Sequence, residues 1–359
     1  MARKMVESAP ARLVLIATAL LACSGPTAIE VQIDRLASGG GFRGALLVAK
    51  DGRILLRKAY GPADEASNLV NRPETRFRIG SITKQFVAAA ILRLRDRGAL
   101  DLQDSVCAHL SPCPAAWQPI TLRHLLTHTS GLPDYTNFAD FPSLIGTAAS
   151  TAGLLSRFRD LPLGFSPGDH WSYSNSGYIV LGAVLESISG RSWGDYLRGD
   201  LFVPLGMPDT AVDDDAPPLP AHATGYLAKG VKPVVLAMSE FAAAGALVST
   251  VDDLFVWDES LRLGRALSAR SLSEATSAQV PCKPGGCALS SDKGYGYGWF
   301  VAEIAGRPYA YHWGRIDGFV STNGFDAADG TVVIALSNLE TTPTFAMSDS
   351  LERLALEAH

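Results

Sequence analysis

The sequence predicts an α/β (α+β) fold in which one antiparallel sheet, made from both ends of the chain, is flanked by helices. Apolar runs bounded by turn residues, which are typical of strands, occur around residue 50 and again after Gly294. Between them, from about residue 85 to residue 257, apolar residues recur at helical spacing. We therefore expect one domain over residues 29–356, with a mostly helical region inserted between the two halves of the sheet.

Each element follows from a local pattern. Asp51-Gly52 lies between two apolar runs and favours a two-residue hairpin turn. Gly98 ends the helical pattern that follows Ser81, so a helix to Asp96 is predicted. The Asp- and Pro-rich stretch 211–220 is typical of a surface loop. The predicted strands are 45–49, 54–59, 295–304, 309–312, 319–325 and 332–336, and the other predicted helices are 121–128, one beginning near 177, and 344–356.

Composition and charge limit the class of protein. The chain has 359 residues, more than one hydrophobic core usually serves, so we expect two packed regions with a ligand cleft between them. Hydrophobic residues make up 47% of the chain and the formal net charge is -5. This balance excludes a disordered chain, and the lack of a basic face argues against a nucleic-acid partner.

The first 23 residues are predicted to be an export signal. Basic residues precede an apolar run over 13–22, which is too short to span a bilayer. The run ends in Leu20-Leu21-Ala22-Cys23, which resembles the signal of bacterial lipoproteins; ordinary cleavage without lipidation is the alternative. We therefore expect an exported protein of the periplasm or cell envelope, held at a membrane only through a lipid on Cys23.

The remaining cysteines form two local pairs. Cys107 and Cys113 follow the pattern C-x5-C, and Cys282 and Cys287 follow C-x4-C. Such pairs suit small disulfide loops in an oxidising compartment. Because zinc sites usually have C-x2-C spacing, we predict two disulfides and no metal site.

Two histidines offer a second zinc alternative. His124 and His128 share one helical face, but the segment lacks the Glu of H-E-x-x-H and a third ligand. We therefore interpret this segment as a structural helix.

The first candidate for catalysis is Gly80-Ser81-Ile82-Thr83-Lys84, at the start of an apolar helix. Residues three apart share a helix face, so Ser81 and Lys84 can meet on the first turn. Burial lowers the pKa of a lysine, and the neutral amine can then accept the serine proton. The alternative is a serine that only caps the helix. Ser290-x-x-Lys293 has the same spacing but leads into a glycine-rich segment, which cannot continue as a helix, so we set it aside.

Two further motifs could complete the site. Tyr173-Ser174-Asn175 lies in a loop before a helix, where a Tyr beside a lysine can act as a base and an Asn amide can hold a substrate carbonyl. Tyr135-Thr136-Asn137 has the same pattern, and either could be an ordinary turn. His312-Trp313-Gly314 ends an apolar strand, where the glycine would let a ligand approach; a strand-end His and a bulge Gly are the alternative.

Taken in chain order, the three motifs resemble those of the β-lactamase and penicillin-binding superfamily, in its class C β-lactamase and DD-peptidase branch. In that branch the second motif is Y-x-N and the third is K-T-G or H-T-G. The likeness extends over residues 78–85, 121–135, 167–190 and 312–319, and it favours Tyr173 over Tyr135. It implies a β-lactamase/transpeptidase-like fold.

The resemblance also implies a role for each matching residue. Ser81 would be the nucleophile, Lys84 and Tyr173 the proton-transfer pair, and Asn175 a substrate-holding amide. The reaction would need no cofactor. Its substrate would be a small molecule or a peptide, including peptides derived from peptidoglycan.

The third motif departs from the family pattern. His312 takes the first position of this motif, and the N–H of Arg315, one residue beyond Gly314, would form the oxyanion hole with that of Ser81. Trp313 stands where many relatives have a Thr whose hydroxyl helps to hold a carboxylate, although Arg315 could supply a cation. We expect a serine hydrolase for an amide or ester bond, of DD-carboxypeptidase-like or esterase type. A class C-like β-lactamase and a non-catalytic penicillin-binding or sensor protein are the alternatives.

Overall fold

The computed structural model describes residues 28–39, 41–213, 221–281, 291–342 and 344–357. Several predictions therefore lie outside the described residues. They are the export signal, the lipid on Cys23, the Cys282–Cys287 disulfide, Ser290 and most of the loop 211–220.

Strands near both ends of the described chain flank a mostly helical middle. The strands are β1 (Gly44–Lys50), β2 (Arg53–Tyr60), β3 (Pro62–Asp64), β4 (Leu69–Val70), β5 (Phe77–Arg78), β6 (Ala211–Val212), β7 (Leu247–Ser249), β8 (Val280–Pro281), β9 (Asp292–Tyr295), β10 (Phe300–Ile304), β11 (Arg307–Ile316), β12 (Phe319–Asp326) and β13 (Thr331–Ser337). The α-helices are α1 (Ala28–Gly39), α2 (Thr83–Asp96), α3 (Leu122–Leu126), α4 (Phe141–Leu144), α5 (Thr151–Ser156), α6 (Asn175–Ser189), α7 (Trp193–Leu197), α8 (Val203–Leu205), α9 (Ala242–Gly245), α10 (Val251–Arg262), α11 (Ala269–Ala275) and α12 (Thr344–Glu357).

The main sheet is antiparallel, and its strand order across the described residues is β2-β1-β13-β12-β11-β10-β9-β8. Gly44 of β1 lies opposite Ser337 of β13, so the two ends of the chain share one sheet. This arrangement confirms the predicted α/β (α+β) architecture. In the first hairpin Asp51 and Gly52 have φ angles of 51° and 72°, the left-handed conformation that a two-residue turn requires.

The central strands are buried on both faces because helices cover both sides of the sheet. Leu47 of β1 lies in a large core with residues of α2, α6 and α10. Its neighbours Leu46 and Val48 lie in a second core with residues of α1 and α12. This alternation is the period of two that a strand imposes on its side chains.

Several elements differ from the prediction. The helix predicted over 121–128 ends at Leu126, and the strand predicted over 309–312 is part of the longer β11. The predicted strand 295–304 is divided into β9 and β10, because the chain turns at Gly298, with φ of 82°, and Gly296 N donates to Trp299 O at 2.7 Å. Helix α1 has no predicted counterpart. The helical region continues to α11, beyond the predicted limit near residue 257.

Cys107 and Cys113 form a disulfide, as predicted, with their Cα atoms 5.3 Å apart. Among the described residues there is no group of His, Cys, Asp and Glu side chains suited to a metal ion. The same part of the chain contains no helix that is both long and apolar enough to cross a membrane.

Candidate active site

Ser81 lies on a tight turn between a small sheet and α2. Strand β5 pairs with β7 and is followed by a 3₁₀ turn at Gly80–Ile82, after which α2 begins. Gly80 has φ of 52°, and a Cβ on it would lie 3.0 Å from the amide nitrogen of Arg315, so both conformation and space favour glycine. Neither the 3₁₀ turn nor α2 has a side-chain cap, so the interpretation of Ser81 as a capping residue is not supported.

Lys84 is buried beside Ser81 with three acceptors around its amine. Its Nζ donates to Ser81 Oγ at 3.0 Å, to Asn175 Oδ1 at 2.9 Å and to the Ala244 carbonyl at 2.7 Å. Burial lowers the pKa of Lys84 to about 7, and the opposing charge of Asp134 reverses this shift only in part. Near neutral pH the lysine is therefore partly an uncharged amine that can accept a proton.

Tyr173 lies next to this pair. The Lys84 nitrogen is 4.9 Å from the centre of the Tyr173 ring. Burial raises the pKa of the Tyr173 hydroxyl well above its usual value, and the nearby Ser81 hydroxyl lowers it only in part. Despite this proximity, the phenol oxygen makes no hydrogen bond of ordinary geometry to the described residues. The resting side chain is therefore a neutral phenol rather than a phenolate base.

Asn175, the first residue of α6, has both amide hydrogens engaged. Its Nδ2 donates to Asp134 Oδ2 at 3.1 Å and to Thr136 Oγ1 at 3.2 Å, while its oxygen accepts from Lys84. In this structure both amide hydrogens of Asn175 bind within the protein and its oxygen orients Lys84. The role of Asn175 as a substrate-holding amide stays a prediction.

The second Y-x-N motif, Tyr135-Thr136-Asn137, is structural. It forms a 3₁₀ turn, and the fully buried Tyr135 donates from its hydroxyl to the Glu240 carbonyl at 2.5 Å. Sequence reasoning missed Asp134 and Thr136 as parts of the site. The signal in the sequence was the second Y-x-N pattern, because Asp134 directly precedes this pattern and Thr136 lies within it.

His312 is buried with both ring nitrogens engaged. Its Nδ1 lies 2.6 Å from the Trp313 carbonyl and its Nε2 lies 3.1 Å from the Tyr295 hydroxyl. Because a carbonyl only accepts, Nδ1 carries the proton and Nε2 accepts from Tyr295. Burial, followed by the charge of Lys84, lowers the pKa of His312 to about 3, so the ring is neutral. In this structure His312 therefore presents neither a charge nor an unused ring nitrogen, and its contact with a substrate stays a prediction.

Gly314 lets the chain's own backbone approach β11. A Cβ at Gly314 would lie 1.9 Å from the Ile79 carbonyl oxygen. The segment that precedes Ser81 therefore occupies the space beside the Gly314 Cα, and the approach of a ligand to this strand stays a prediction. The same packing brings the Arg315 amide next to Gly80, a placement compatible with the predicted oxyanion hole.

The Arg315 side chain lies at the surface and is paired. Its Nε donates to Glu340 at 2.8 Å, a second contact joins Nη2 to the same carboxylate, and Glu340 also accepts from Gly318 N at 3.1 Å. The Arg315 side chain is 63% exposed and that of Glu340 only 13%. The cation predicted for a substrate carboxylate is thus already bound by a carboxylate of the protein.

An aromatic wall, formed by Trp171, Tyr173, Phe300 and Trp313, borders the site. The Trp313 ring is nearly parallel to that of Tyr173, at 14° and 6.5 Å between centres, and to that of Phe300, at 13° and 6.3 Å. The Trp171 ring lies 6.3 Å from that of Tyr173. Apolar surface therefore replaces the Thr hydroxyl of the family pattern.

The two helix-spaced histidines have separate partners. His124 Nδ1 accepts from Thr121 N at 3.2 Å in the cap of α3, whereas His128 Nδ1 accepts from Ser174 N at 3.2 Å. The His128 ring lies 4.2 Å from the Tyr173 ring, and burial keeps its pKa well below the usual value. His128 is thus a neutral support of the loop that carries Tyr173.

Lys84 and Tyr173 lie beside the hydroxyl group of Ser81. With a buried and partly neutral lysine as its neighbour, Ser81 has the environment of the nucleophile in a serine hydrolase. The chain belongs to the β-lactamase family, because the family model described as Beta-lactamase matches residues 31–357.

Known proteins are similar over most of the chain. PbpX of Bacillus subtilis strain 168, provisionally named a penicillin-binding protein, is 31% identical over 304 residues, which cover 84% of this chain and 71% of PbpX. The penicillin-binding protein of Bacillus halodurans has a TM-score of 0.78 and 25% identity, covering 90% of this chain and 98% of its own. The D-amino acid amidase of Ochrobactrum anthropi SV3, solved with L-phenylalanine amide, has a TM-score of 0.79 and 25% identity, covering 92% and 99% of the two chains. This chain spans only 62% of the length of the relatives that follow PbpX in similarity.

Proposed function

We propose that this protein hydrolyses an amide or ester bond through an acyl-enzyme on Ser81. The observation that carries the proposal is the 3.0 Å contact between Lys84 Nζ and Ser81 Oγ, in a buried site where the pKa of Lys84 is about 7. A hydroxyl is a poor nucleophile until a base accepts its proton. Here the base is in contact with the hydroxyl and is partly uncharged near neutral pH.

In the acylation step the neutral Lys84 amine accepts the Ser81 proton while Oγ attacks the substrate carbonyl carbon. The carbonyl electron pair moves to oxygen, and the N–H groups of Ser81 and Arg315 donate to the oxyanion. The ammonium that forms on Lys84 already has acceptors in Asn175 and Ala244, so it requires no rearrangement.

Tyr173 is suited to deliver the proton to the leaving group. Its raised pKa keeps the resting phenol protonated, and a phenolate formed when it donates would be basic enough to regain a proton from the Lys84 ammonium. Collapse of the tetrahedral intermediate then breaks the bond to the leaving nitrogen or oxygen, which departs protonated. In deacylation a water attacks the acyl carbon, the same pair accepts its proton, and Ser81 Oγ leaves with a proton from Lys84.

The site favours a substrate without a carboxylate beside the scissile bond. Trp313 presents apolar surface, His312 is neutral and Arg315 is paired with Glu340. The terminal carboxylate of a DD-peptide would have to displace Glu340 to gain a cation. An uncharged amide or a small ester fits better, and similarity to a D-amino acid amidase supports the amide. An interior amide of a peptidoglycan-derived peptide also has no carboxylate beside the scissile bond.

A fluorophosphonate probe tests the nucleophile. We expect covalent addition at Ser81 and none in Ser81→Ala. Lys84→Ala and Tyr173→Phe should each slow ester turnover by about 100-fold or more, the usual size of a general acid or base contribution. The double variant should lose little more, because both residues act on one proton.

Lys293→Ala is the matched control for Lys84. Lys293 belongs to the second S-x-x-K spacing, yet its side chain is 57% exposed and pairs with Glu303 at 3.5 Å. Its removal should leave labelling and turnover unchanged. Labelling of Ser81→Ala at the wild-type rate, or labelling that maps to Ser290, contradicts the proposal.

A substrate panel tests the acyl and leaving groups. It contains a D-amino acid amide, a small ester, a D-Ala-D-Ala peptide and a cephalosporin. We expect turnover of the amide or the ester to exceed that of the two carboxylates. Stoichiometric labelling with no turnover of any member would instead favour a penicillin-binding or sensor protein.

A further inference from the structure

We propose that Asp134 is a positioning residue for proton transfer between Ser81 and Lys84, and that it acts through the amide of Asn175. The inference rests on the proposed function, since it concerns the same proton. It adds a residue that lies outside the three site motifs and that accepts hydrogen bonds from Asn175.

The Asp134 carboxylate accepts hydrogen bonds on both oxygens. Its Oδ1 accepts from Thr136 N at 3.1 Å and from Thr136 Oγ1 at 2.9 Å. Its Oδ2 accepts from Asn175 N at 3.2 Å and from Asn175 Nδ2 at 3.1 Å. The first pair fixes the carboxylate in its 3₁₀ turn, and the second fixes the start of α6 against that turn.

An asparagine amide can present its oxygen or its nitrogen, and only the oxygen suits Lys84. With Nδ2 held by Asp134 and Thr136, Oδ1 faces the lysine at 2.9 Å. In the reversed orientation, the amide hydrogens would point at the lysine donors and the oxygen would face the carboxylate. Asp134 thus excludes the orientation in which Lys84 loses one of its acceptors.

The turn that carries Asp134 is itself anchored. The Tyr135 amide donates to Ser176 Oγ at 3.0 Å, and the Tyr135 hydroxyl donates to the Glu240 carbonyl at 2.5 Å. Glu240 precedes α9, whose Ala244 carbonyl is another acceptor of the lysine amine. Because one turn joins α6 to the segment before α9, the acceptors around the lysine keep their relative positions.

The charge of Asp134 acts on the same lysine. Burial lowers the pKa of Lys84, and Asp134 opposes that shift. Without this charge the pKa of Lys84 would fall below about 7. Because the neutral lysine accepts the serine proton, activity should then persist to lower pH.

Asp134→Asn keeps the shape of the side chain but removes the charge and one acceptor for Asn175. The readout is the rate of fluorophosphonate labelling of Ser81, followed across the acid limb of its pH profile. We expect the acid limb to move down by about one pH unit. The plateau rate should fall by about tenfold, the consequence of losing an ordinary hydrogen bond to a charged group. For an ester substrate kcat should fall while KM changes little.

Thr136→Val tests the orientation of the Asn175 amide without changing the charge of Asp134. It removes the Oγ1 acceptor of Asn175 Nδ2 and the Oγ1 donor to Asp134, but it keeps the charge of the Asp134 carboxylate and the Thr136 N contact that holds it. The plateau should fall by roughly fivefold, with the acid limb unchanged. Asp140→Asn is the matched control, because Asp140 pairs with Arg157 at 3.0 Å and its side chain is 62% exposed. In Asp140→Asn both the plateau rate and the acid limb of labelling should match those of the wild type.

The outcomes separate this inference from the proposed function. An acid limb that does not move in Asp134→Asn, or a loss confined to KM, overturns the inference and leaves the Ser81 nucleophile intact. Absence of labelling in the wild type at every pH overturns both. Should thermal unfolding show that Asp134→Asn is not folded, Thr136→Val decides, and an unchanged kcat overturns the inference.

Discussion

At Gly314 the lack of a side chain determines how closely two parts of the site approach. The Ile79 carbonyl oxygen would lie 1.9 Å from a Cβ on this residue. A backbone carbonyl cannot turn aside as a flexible side chain can, so an alanine would push β11 away from the turn that carries Ser81. The Arg315 amide would move with β11.

Gly314→Ala should therefore impair the site sharply. We expect labelling of Ser81 to slow by about 100-fold, because a displacement near 1 Å has that effect on a preorganised site. The free energy of unfolding should fall by about 1 to 3 kcal/mol, as in other overpacked sites. Labelling kinetics and urea unfolding measure the two effects.

Gly39→Ala is the control for this substitution, since a Cβ on Gly39, at the end of α1, would meet no atom within 4 Å. It should change neither quantity. Wild-type labelling by Gly314→Ala would show that the Ile79 contact does not set the position of β11.

The serine and lysine were predictable from spacing because they lie three apart at the start of one helix, a relation that local sequence determines. The hydrogen-bond partners of Asn175 and Arg315 were not predictable from spacing. Asp134 is 41 residues from Asn175 and Glu340 is 25 residues from Arg315, so only the folded chain brings them together. The structure adds these partners within the protein, and the roles of both residues toward a substrate stay predictions.

Among the elements, strands with continuous apolar runs were the most predictable. The ends of β1, β2, β12 and β13 lie within one residue of the predicted positions. The break between β9 and β10 depends on Gly298, whose left-handed conformation is not specified by hydrophobic pattern. Helix α1 packs on β2 and α12, and these contacts bury its Ile33 and Ala37.

Helix α12 buries an acid against the sheet. Glu352 accepts from Ser348 Oγ at 2.9 Å, and burial raises its pKa to about 7. Asp349 adds to this rise, whereas Ser348, Tyr309 and Arg353 oppose it. In the unfolded chain the carboxyl has its ordinary pKa of 4.5. Folding therefore favours the protonated form.

The sign of the pH dependence follows from this raised pKa. The contribution of Glu352 to stability is complete below about pH 4.5, falls as the pH rises, and is lost above about pH 7. Glu352→Gln, which keeps a neutral acceptor for Ser348, should remove this dependence. At pH 8 the variant should be the more stable by up to roughly 3 kcal/mol, while the two proteins should match in mild acid. Urea unfolding at both pH values measures this difference. The same difference in the free energy of unfolding between the two proteins at both pH values would refute the prediction.

For the whole molecule, export and lipidation stay predictions, since residues 1–23 lie outside the described chain. We propose that Cys23 carries a lipid, on the strength of the apolar run that precedes it. Cells grown with a labelled fatty acid should yield a tagged protein that partitions with membranes. Cys23→Ala should lose the tag, and equal labelling of this variant would rule lipidation out.

The pairing of β1 with β13 bears on how the molecule is made. Gly44 lies opposite Ser337, so β1 lacks one of its two neighbours in the sheet until β13 has been synthesised. Strand pairing over such a separation forms slowly, because a long loop must be closed before its contacts stabilise it. The contact of Ile79 with Gly314 of β11 likewise joins residues that lie far apart in the sequence. A chain synthesised only as far as α11 therefore carries Ser81 and Lys84 without Arg315, the second donor of the predicted oxyanion hole. We expect such a chain to react with an electrophile more slowly than the folded protein.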